Sequence, residues 1–294
     1  MRVLVSGASG LVGKALCAAL VSDGHEVITL GRGPGSDVRW DIDADDLDLT
    51  AIGTLDAVVH LAGESVAGAR WTAARKARIR DSRVKGTRLL VDRLCRLDSR
   101  PSVFLSASGI GYYGDCEDRE VDETAPRGGG FLAGVCEEWE AASQPLVDAG
   151  VRVVRCRLGM VLAPQGGALA KMLPAFRMGL GGRLGNGRQG VSWVSLRDVV
   201  AILGFAVRSE ALSGPVNVVA PGPVTNQAFT RALGRACGRP TWSPAPAWLL
   251  KLVLGEMAEE LLLGGAMVKP TRLQDAGFDF QDTDLDATLR RLLA

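Results

Sequence analysis

Residues 2–13 read Arg2-Val3-Leu4-Val5-Ser6-Gly7-Ala8-Ser9-Gly10-Leu11-Val12-Gly13. An apolar strand, Val3 to Val5, runs into glycines at 7, 10 and 13, and a helix-period run follows from Lys14 to Val21. A dinucleotide site needs this order. The strand ends in a tight turn, glycines let the backbone approach a pyrophosphate, and the helix N-terminus aims free N–H groups and partial positive charge at it. A glycine triplet alone is a weak signal, and a turn that merely packs helix on strand is the plain alternative. Its setting between a strand and a helix gives it weight. Gly7, Ser9, Gly10, Leu11, Val12 and Gly13 are therefore the first candidate cofactor-binding residues.

Outward from this turn, strand and helix signals alternate, which predicts a parallel, doubly wound sheet. Further strands are expected at Glu26–Leu30, Val38–Trp40, Leu55–Leu61, Ser102–Ser106 and Val151–Arg157. Long helices are expected at Thr72–Leu97 and Phe131–Asp148. Gly190–Val194 and Pro215–Val219 read as later strands extending the same sheet. From Pro164 the character changes, with a glycine-dense stretch at Gly179–Gly190, more proline from Pro221, and helical stretches near 225–236 and 247–263. The expected fold is α/β: a Rossmann-type doubly wound parallel sheet with a smaller C-terminal α/β lobe. The dinucleotide-binding domain is placed at 1–165, with its sheet completed by about 190–220, and the substrate lobe mainly at 166–294.

Composition bounds the function. The chain has 294 residues, 47% of them apolar, and a formal charge of +1, which points to neither disorder nor a general nucleic-acid footprint. Six cysteines (17, 95, 116, 136, 156, 237) fall without Cys-x-x-Cys or metal-ligand spacing, and His25 and His60 are too far apart to help. No metal site is expected. Dispersed cysteines suggest a reducing compartment. The first strand starts at once, leaving no room for a signal peptide, and the apolar run Ala247–Leu263 is interrupted by Lys251, Glu256, Glu259 and Glu260. A cytoplasmic protein with no membrane span follows as the expectation.

After the second strand, a carboxylate would hydrogen-bond a ribose 2′-hydroxyl and repel a 2′-phosphate, whereas an arginine would attract the phosphate. This chain has Gly31-Arg32, so Arg32 is the candidate 2′-phosphate ligand and NADP(H) the expected cofactor. Asp41, after the third strand, could hold the adenine amino group or serve as a turn residue. Leu61, Ala62, Gly63 and Glu64, at the carboxyl end of the fourth strand, would lie along the far ribose.

These motifs carry a resemblance. Gly7-x-x-Gly10-x-x-Gly13, His60-Leu61-Ala62-Gly63, and Ser106-Ala107-Ser108 leading to Tyr113-Gly114 resemble the extended short-chain dehydrogenase/reductase superfamily. More narrowly, the chain is similar to its branch of epimerase-family proteins, described as NAD-dependent epimerase/dehydratase or nucleoside-diphosphate sugar epimerase. That likeness rests on Leu61–Glu64, Arg70-Trp71-Thr72, Tyr112-Tyr113-Gly114, Trp139-Glu140, Arg157-Leu158-Gly159, Lys171–Pro174, Phe176-Arg177 and Gly179–Gly182, and it runs on to Ala276-Gly277-Phe278.

The resemblance implies hydride transfer at a sugar carbon, with a tyrosine as base, a lysine lowering its pKa, and a serine or threonine hydroxyl orienting the substrate. Ser106 or Ser108 matches the hydroxyl. The Tyr and Lys positions fall on Leu132 and Cys136. The two tyrosines of the chain, Tyr112 and Tyr113, are followed four residues later by Cys116 and Glu117, so no Tyr-x-x-x-Lys pair exists. Two readings follow. Tyr113 replaces the base, with Ser106, Ser108 and Tyr113 as the catalytic candidates of an oxidoreductase or epimerase acting on a nucleotide-sugar-like or small carbonyl substrate. Alternatively, the protein binds NADP(H) without turnover as a sensing or interaction module, and the tyrosine pair only wedges its loop.

Ten basic residues lie between Arg70 and Arg96. With no interleaved aromatics beyond Trp71, they read as a solvated helix face rather than a nucleic-acid reader, although Arg70 and Lys76 could meet an anionic substrate. The resemblance also implies a homodimer through the long helices, with Leu89, Leu90 and Leu94 serving core or interface. Gly179–Gly190 reads as a flexible lid with Arg183 and Arg188 available to a phosphate. The branch has His and Asp where this chain has Ser195 and Arg197, and Asp198 could cap the helix after it.

Overall fold

A computed structural model describes residues 1–117 and 119–294. Eight strands form the main sheet: β1 (Arg2–Ser6), β2 (Glu26–Gly31), β3 (Val38–Asp41), β4 (Asp46–Leu47), β5 (Ala57–His60), β6 (Val103–Gly109), β7 (Arg152–Leu158) and β8 (Gly214–Val218). Their order is β8-β7-β6-β5-β1-β2-β3-β4, parallel throughout except for the short β3–β4 pair. The order reverses between β1 and β5, and the crevice outside the carboxyl ends of those strands is where such sheets bind ligands.

The central strands are apolar at consecutive positions because both sheet faces are covered. Val3 and Val5 of β1, Ala57 and Val59 of β5, and Val103 and Leu105 of β6 share one core with Leu16 and Leu20 of α1 (Leu11–Ser22). Leu4, Val58 and Phe104 point the other way, into a core with Leu89, Leu90 and Leu94 of α2 (Ala73–Cys95). Those three leucines are thus core residues of the monomer. Thr72 caps α2 by accepting from the Arg75 N–H.

The structure departs from the sequence expectations in four places. The helix expected over Phe131–Asp148 is two: α3 (Phe131–Ala141) and α4 (Gln144–Asp148). Pro145, in the first turn of α4, has no N–H to continue the α3 ladder. Gly190–Val194 does not join the main sheet. Gly190–Val191 pairs with Val224–Thr225, and Trp193–Ser195 with Met160–Leu162. The stretch 247–263 breaks at Gly255 into Ala247–Leu254, Glu256–Ala258 and a π-turn at Glu259–Leu263. The glycine-dense Gly179–Gly190 stretch is pinned, because Gln189 Nε2 donates to the carbonyls of Leu184 (3.1 Å) and Leu262 (2.7 Å).

The later residues build a further core from Leu162, Leu169, Leu173, Phe176, Trp193, Phe229, Leu233 and Leu289. Asp198 does not cap its own helix (Leu196–Arg208). The Ser195 hydroxyl does that, while the buried Asp198 carboxylate accepts from the N–H groups of Gln281 (3.1 Å) and Asp282 (3.0 Å). Among the described residues, no helix is long and apolar enough to cross a membrane.

Candidate functional site

The turn after β1 is built around two glycines. Gly7 has φ +70° and passes so close to the end of β5 that a Cβ would lie 2.8 Å from the Leu61 carbonyl carbon. On α1, a Cβ at Gly13 would lie 2.2 Å from the Gly7 carbonyl oxygen, so only glycine lets the helix start this near the strand. Gly10 is the N-cap of α1 and brings no side chain, which leaves the first-turn N–H groups free of a capping group. Ser9 and Gly10 are exposed, while Leu11 and Val12 are half-buried. Backbone donors, absent side chains and the dipole of a twelve-residue helix fit a dinucleotide pyrophosphate.

Buried side chains hold the turn against β5. The Ser6 Oγ accepts from the N–H groups of Leu61 (3.1 Å) and Ala62 (3.3 Å), which leaves its own proton for His60 Nδ1 at 2.6 Å. The His60 Nε2–H then donates to Thr87 Oγ1 on α2 at 3.0 Å. Burial pushes the His60 pKa down to about 4, so the ring is neutral and ties β1, β5 and α2 together. The 61–64 loop is fixed further, with the Glu64 N–H donating to Ser82 Oγ (3.1 Å) and the Glu64 carboxylate paired with Arg75. Glu64 therefore presents its backbone, not a free carboxylate, to the crevice.

Arg32 lies exposed just past β2, beside the same crevice edge. Asp41 takes the turn role: its Oδ1 accepts from the N–H groups of Asp43 (3.0 Å) and Ala44 (3.1 Å).

Two of the catalytic candidates, Tyr113 and Ser108, share one buried network. Tyr113 is 2% exposed. Its hydroxyl donates to Asn217 Oδ1 (2.7 Å) and accepts from Arg157 Nη1 (2.9 Å). Arg157 pairs with Glu140 through Nε–Oε1 (2.8 Å) and Nη2–Oε2 (2.9 Å), and the Ser108 hydroxyl donates to Glu140 Oε1 at 2.8 Å. The guanidinium also sits 3.5 Å from the Tyr112 ring centroid. Ser106 is buried, with its hydroxyl on the Ala107 carbonyl.

In this arrangement the Tyr113 hydroxyl is engaged by protein groups and is not poised as a base. Burial pushes its pKa up to about 12, and both neighbours of the hydroxyl are protein groups. A wedge role fits this packing, and the Ser108 hydroxyl joins the same network through Glu140. The basic stretch of α2 is likewise engaged: Arg75, Lys76, Arg80, Lys85, Arg93 and Arg96 all pair with carboxylates. Lys76, one of the two expected substrate contacts, holds Glu256 at 2.7 Å.

Comparison with known proteins adds to this geometry. The model of the NAD dependent epimerase/dehydratase family matches residues 3–219, and one for a domain of unknown function matches 245–292. The chain belongs to the NAD dependent epimerase/dehydratase family. An epimerase family protein of Mycobacterium tuberculosis is 43% identical over 290 residues, covering 98% of this chain and 96% of its own. The crystal structure of the human epimerase family protein SDR39U1 with NADPH is 33% identical, with a TM-score of 0.90 over 100% of this chain and 99% of that one. A Thermus thermophilus UDP-glucose 4-epimerase in complex with NAD, at 18% identity and a TM-score of 0.78 over 100% of this chain and 98% of that one, shares the fold.

The resemblance drawn from the sequence expects the base and its lysine at the start of α3. Leu132 and Cys136 stand there. The Cys136 thiol faces the Gly109 carbonyl (3.6 Å), and burial pushes its pKa up to about 11, which makes it a poor thiolate. One group there escaped the sequence reading. The Glu260 carboxylate, from the C-terminal lobe, accepts from the N–H groups of Phe131 (2.7 Å) and Leu132 (2.8 Å) and so caps α3. No local spacing signals a contact between residues so far apart in the chain.

Proposed function

We propose that this chain binds NADP(H) in the crevice between β1 and β5 and is an oxidoreductase or epimerase of unconventional site, acting on a small carbonyl compound or an anionic, nucleotide-sugar-like molecule. The observation that carries the reading is the Gly7–Gly13 cradle, closed to any Cβ at Gly13 and open at the N-terminus of α1. Gly7, Ser9, Gly10, Leu11, Val12 and Gly13 would hold the pyrophosphate, Arg32 a 2′-phosphate, and the backbone of Leu61–Glu64 the far ribose. The human relative crystallised with NADPH supports that choice. Bound NADPH would supply a hydride. The chain's own part is to orient that cofactor and exclude water, with Tyr113 held in the buried network rather than poised as a proton donor. A homodimer and a cytoplasmic location complete the proposal.

The burial of Tyr113 and Ser108 favours a second reading, a non-catalytic NADP(H)-sensing module. Turnover separates the two. Net NADPH oxidation is followed with a panel of carbonyl compounds, and, because epimerisation is redox-neutral, interconversion of nucleotide sugars is followed by chromatography with added NADP⁺, on the wild type and Tyr113→Phe. Turnover in both proteins at equal rates supports an enzyme whose proton comes from elsewhere than Tyr113. No turnover with any compound, alongside tight NADPH binding, supports the sensor. Loss of turnover in Tyr113→Phe alone would contradict the structural role given to this residue. The same substitution strands Arg157 Nη1 and Asn217 Oδ1, so we expect about 1–3 kcal/mol of lost stability in chemical denaturation.

A further inference from the structure

Arg83 stands on the stretch of α2 that flanks the crevice. It lies next to Ser82, whose hydroxyl receives the Glu64 N–H, and one turn before Thr87, the partner of His60. The helix is thereby pinned to the carboxyl end of β5 on both sides of Arg83. Its guanidinium runs along Gly63, where a Cβ would lie 3.3 Å from Arg83 Cζ and 3.4 Å from Nη2. On the other side the guanidinium carbon is 5.0 Å from the Trp139 ring centroid on α3. Its charged and titratable neighbours are Cys136, Glu64 and Arg75.

Two facts make this arrangement unusual. First, Cys136 is the position at which the family resemblance expects a lysine, so a cation from α2 reaches the region where α3 supplies none. Second, the carboxylate nearest to it, Glu64, is taken by Arg75. Among the described residues the Arg83 guanidinium makes one hydrogen bond, Nη1 to the Ile79 carbonyl at 3.0 Å, and no ion pair. A guanidinium has five N–H donors in a fixed fork, so four remain. The Trp139 ring sets its plane by a cation–π contact. A half-buried fork of this kind suits a vicinal diol, which can accept two parallel N–H bonds.

Resting on the NADP(H) reading above, we infer that Arg83 supplies, from α2, the cation that holds the hydroxyls of the nicotinamide-side ribose, in place of the absent lysine of α3. Arg83 is then a cofactor-positioning residue, and the absence of a Cβ at Gly63 lets its guanidinium lie close along the loop.

The test is direct binding, with no turnover needed. NADPH and adenosine 2′,5′-bisphosphate, which lacks the nicotinamide-side ribose, are titrated calorimetrically into wild type, Arg83→Gln and Arg83→Lys. We expect Arg83→Gln to weaken NADPH about ten-fold or more, the scale of a charge-assisted hydrogen bond, and to leave the bisphosphate within about two-fold. Arg83→Lys should recover part of the loss. If Arg83→Gln does not fold, Arg83→Lys carries the test, with NADPH weakened several-fold and the bisphosphate unchanged. Unchanged NADPH affinity, or equal weakening of both ligands, overturns the inference and leaves Arg83 as a packing residue between α2 and α3. Failure of the wild type to bind either ligand overturns the NADP(H) reading itself. Bisphosphate binding without any gain from NADPH overturns the assignment of Arg83 alone.

Discussion

Replacing Glu140 by alanine is expected to destabilise the protein by about 3–5 kcal/mol, the usual penalty for stranding one half of a buried ion pair. Arg157 is 3% exposed at its side chain and Glu140 11%, and both oxygens of Glu140 are engaged by the guanidinium. Without the carboxylate, a buried charge keeps only the Tyr113 hydroxyl and the faces of Tyr112 and Tyr113. The Ser108 hydroxyl loses its acceptor as well. The loss should spread, because this network joins β6, α3, β7 and β8 around the loop that carries Tyr113. Urea unfolding of Glu140→Ala measures it. The double variant Glu140→Leu/Arg157→Met should cost less than the single one, since no charge is left to desolvate. A single-variant loss below about 1 kcal/mol would mean that the pair is not buried in solution.

The second large effect is on pH. The folded protein holds His60 neutral down to about pH 4, whereas the unfolded chain protonates it near the ordinary histidine value of 6.5. Between those values the unfolded state binds more protons. Stability therefore rises with pH across this window and is lost as pH falls through it. The gap of about 2.5 pH units corresponds to roughly 3 kcal/mol at about 1.36 kcal/mol per unit. Carboxylates titrate in the lower part of the same range, so the comparison that isolates His60 is with His60→Gln. Wild-type stability should fall more steeply than that of the variant from about pH 6.5 to about pH 4.5. Parallel slopes would show that His60 is accessible to protons in the folded state.

Both effects arise in contacts that the sequence could not display, and this marks how much was legible. The first fifty residues were readable because their signals are local. A glycine at 13 and an apolar run at 3–5 are each weak signals alone, and in that order they locate the turn at the crevice. Strand alternation likewise placed β1 to β3 and β5 to β7 within a few residues. It found Gly190–Val194 and Pro215–Val219 too, but could not say which sheet Gly190–Val194 would join, because strands of two or three residues carry too little pattern to fix a partner. Pro145 was a visible helix break that the apolar run around it obscured.

The surroundings of the candidate catalytic centre were not legible for a different reason. Tyr113 carries the right chemistry beside the right strand, and the engagement of its hydroxyl is set by Arg157 and Asn217, 44 and 104 residues on. Burial and hydrogen-bond closure are properties of the assembled sheet. In the same way, Glu260 reaches α3 from the far lobe, and Arg83 is one basic residue among ten until its neighbours are paired off.

The central claim, an NADP(H) site at the Gly7–Gly13 turn with Arg32 as the 2′-phosphate ligand, is tested most directly by calorimetric titration. NADPH, NADH, NADP⁺ and NAD⁺ are titrated into the wild type and into Arg32→Ala. The account predicts that NADPH binds about ten-fold or more tightly than NADH, the scale of one charge-assisted contact, and that Arg32→Ala removes most of that preference while leaving NADH affinity unchanged. Equal affinity for NADPH and NADH in both proteins would contradict the role of Arg32, and no binding of any dinucleotide would contradict the site itself.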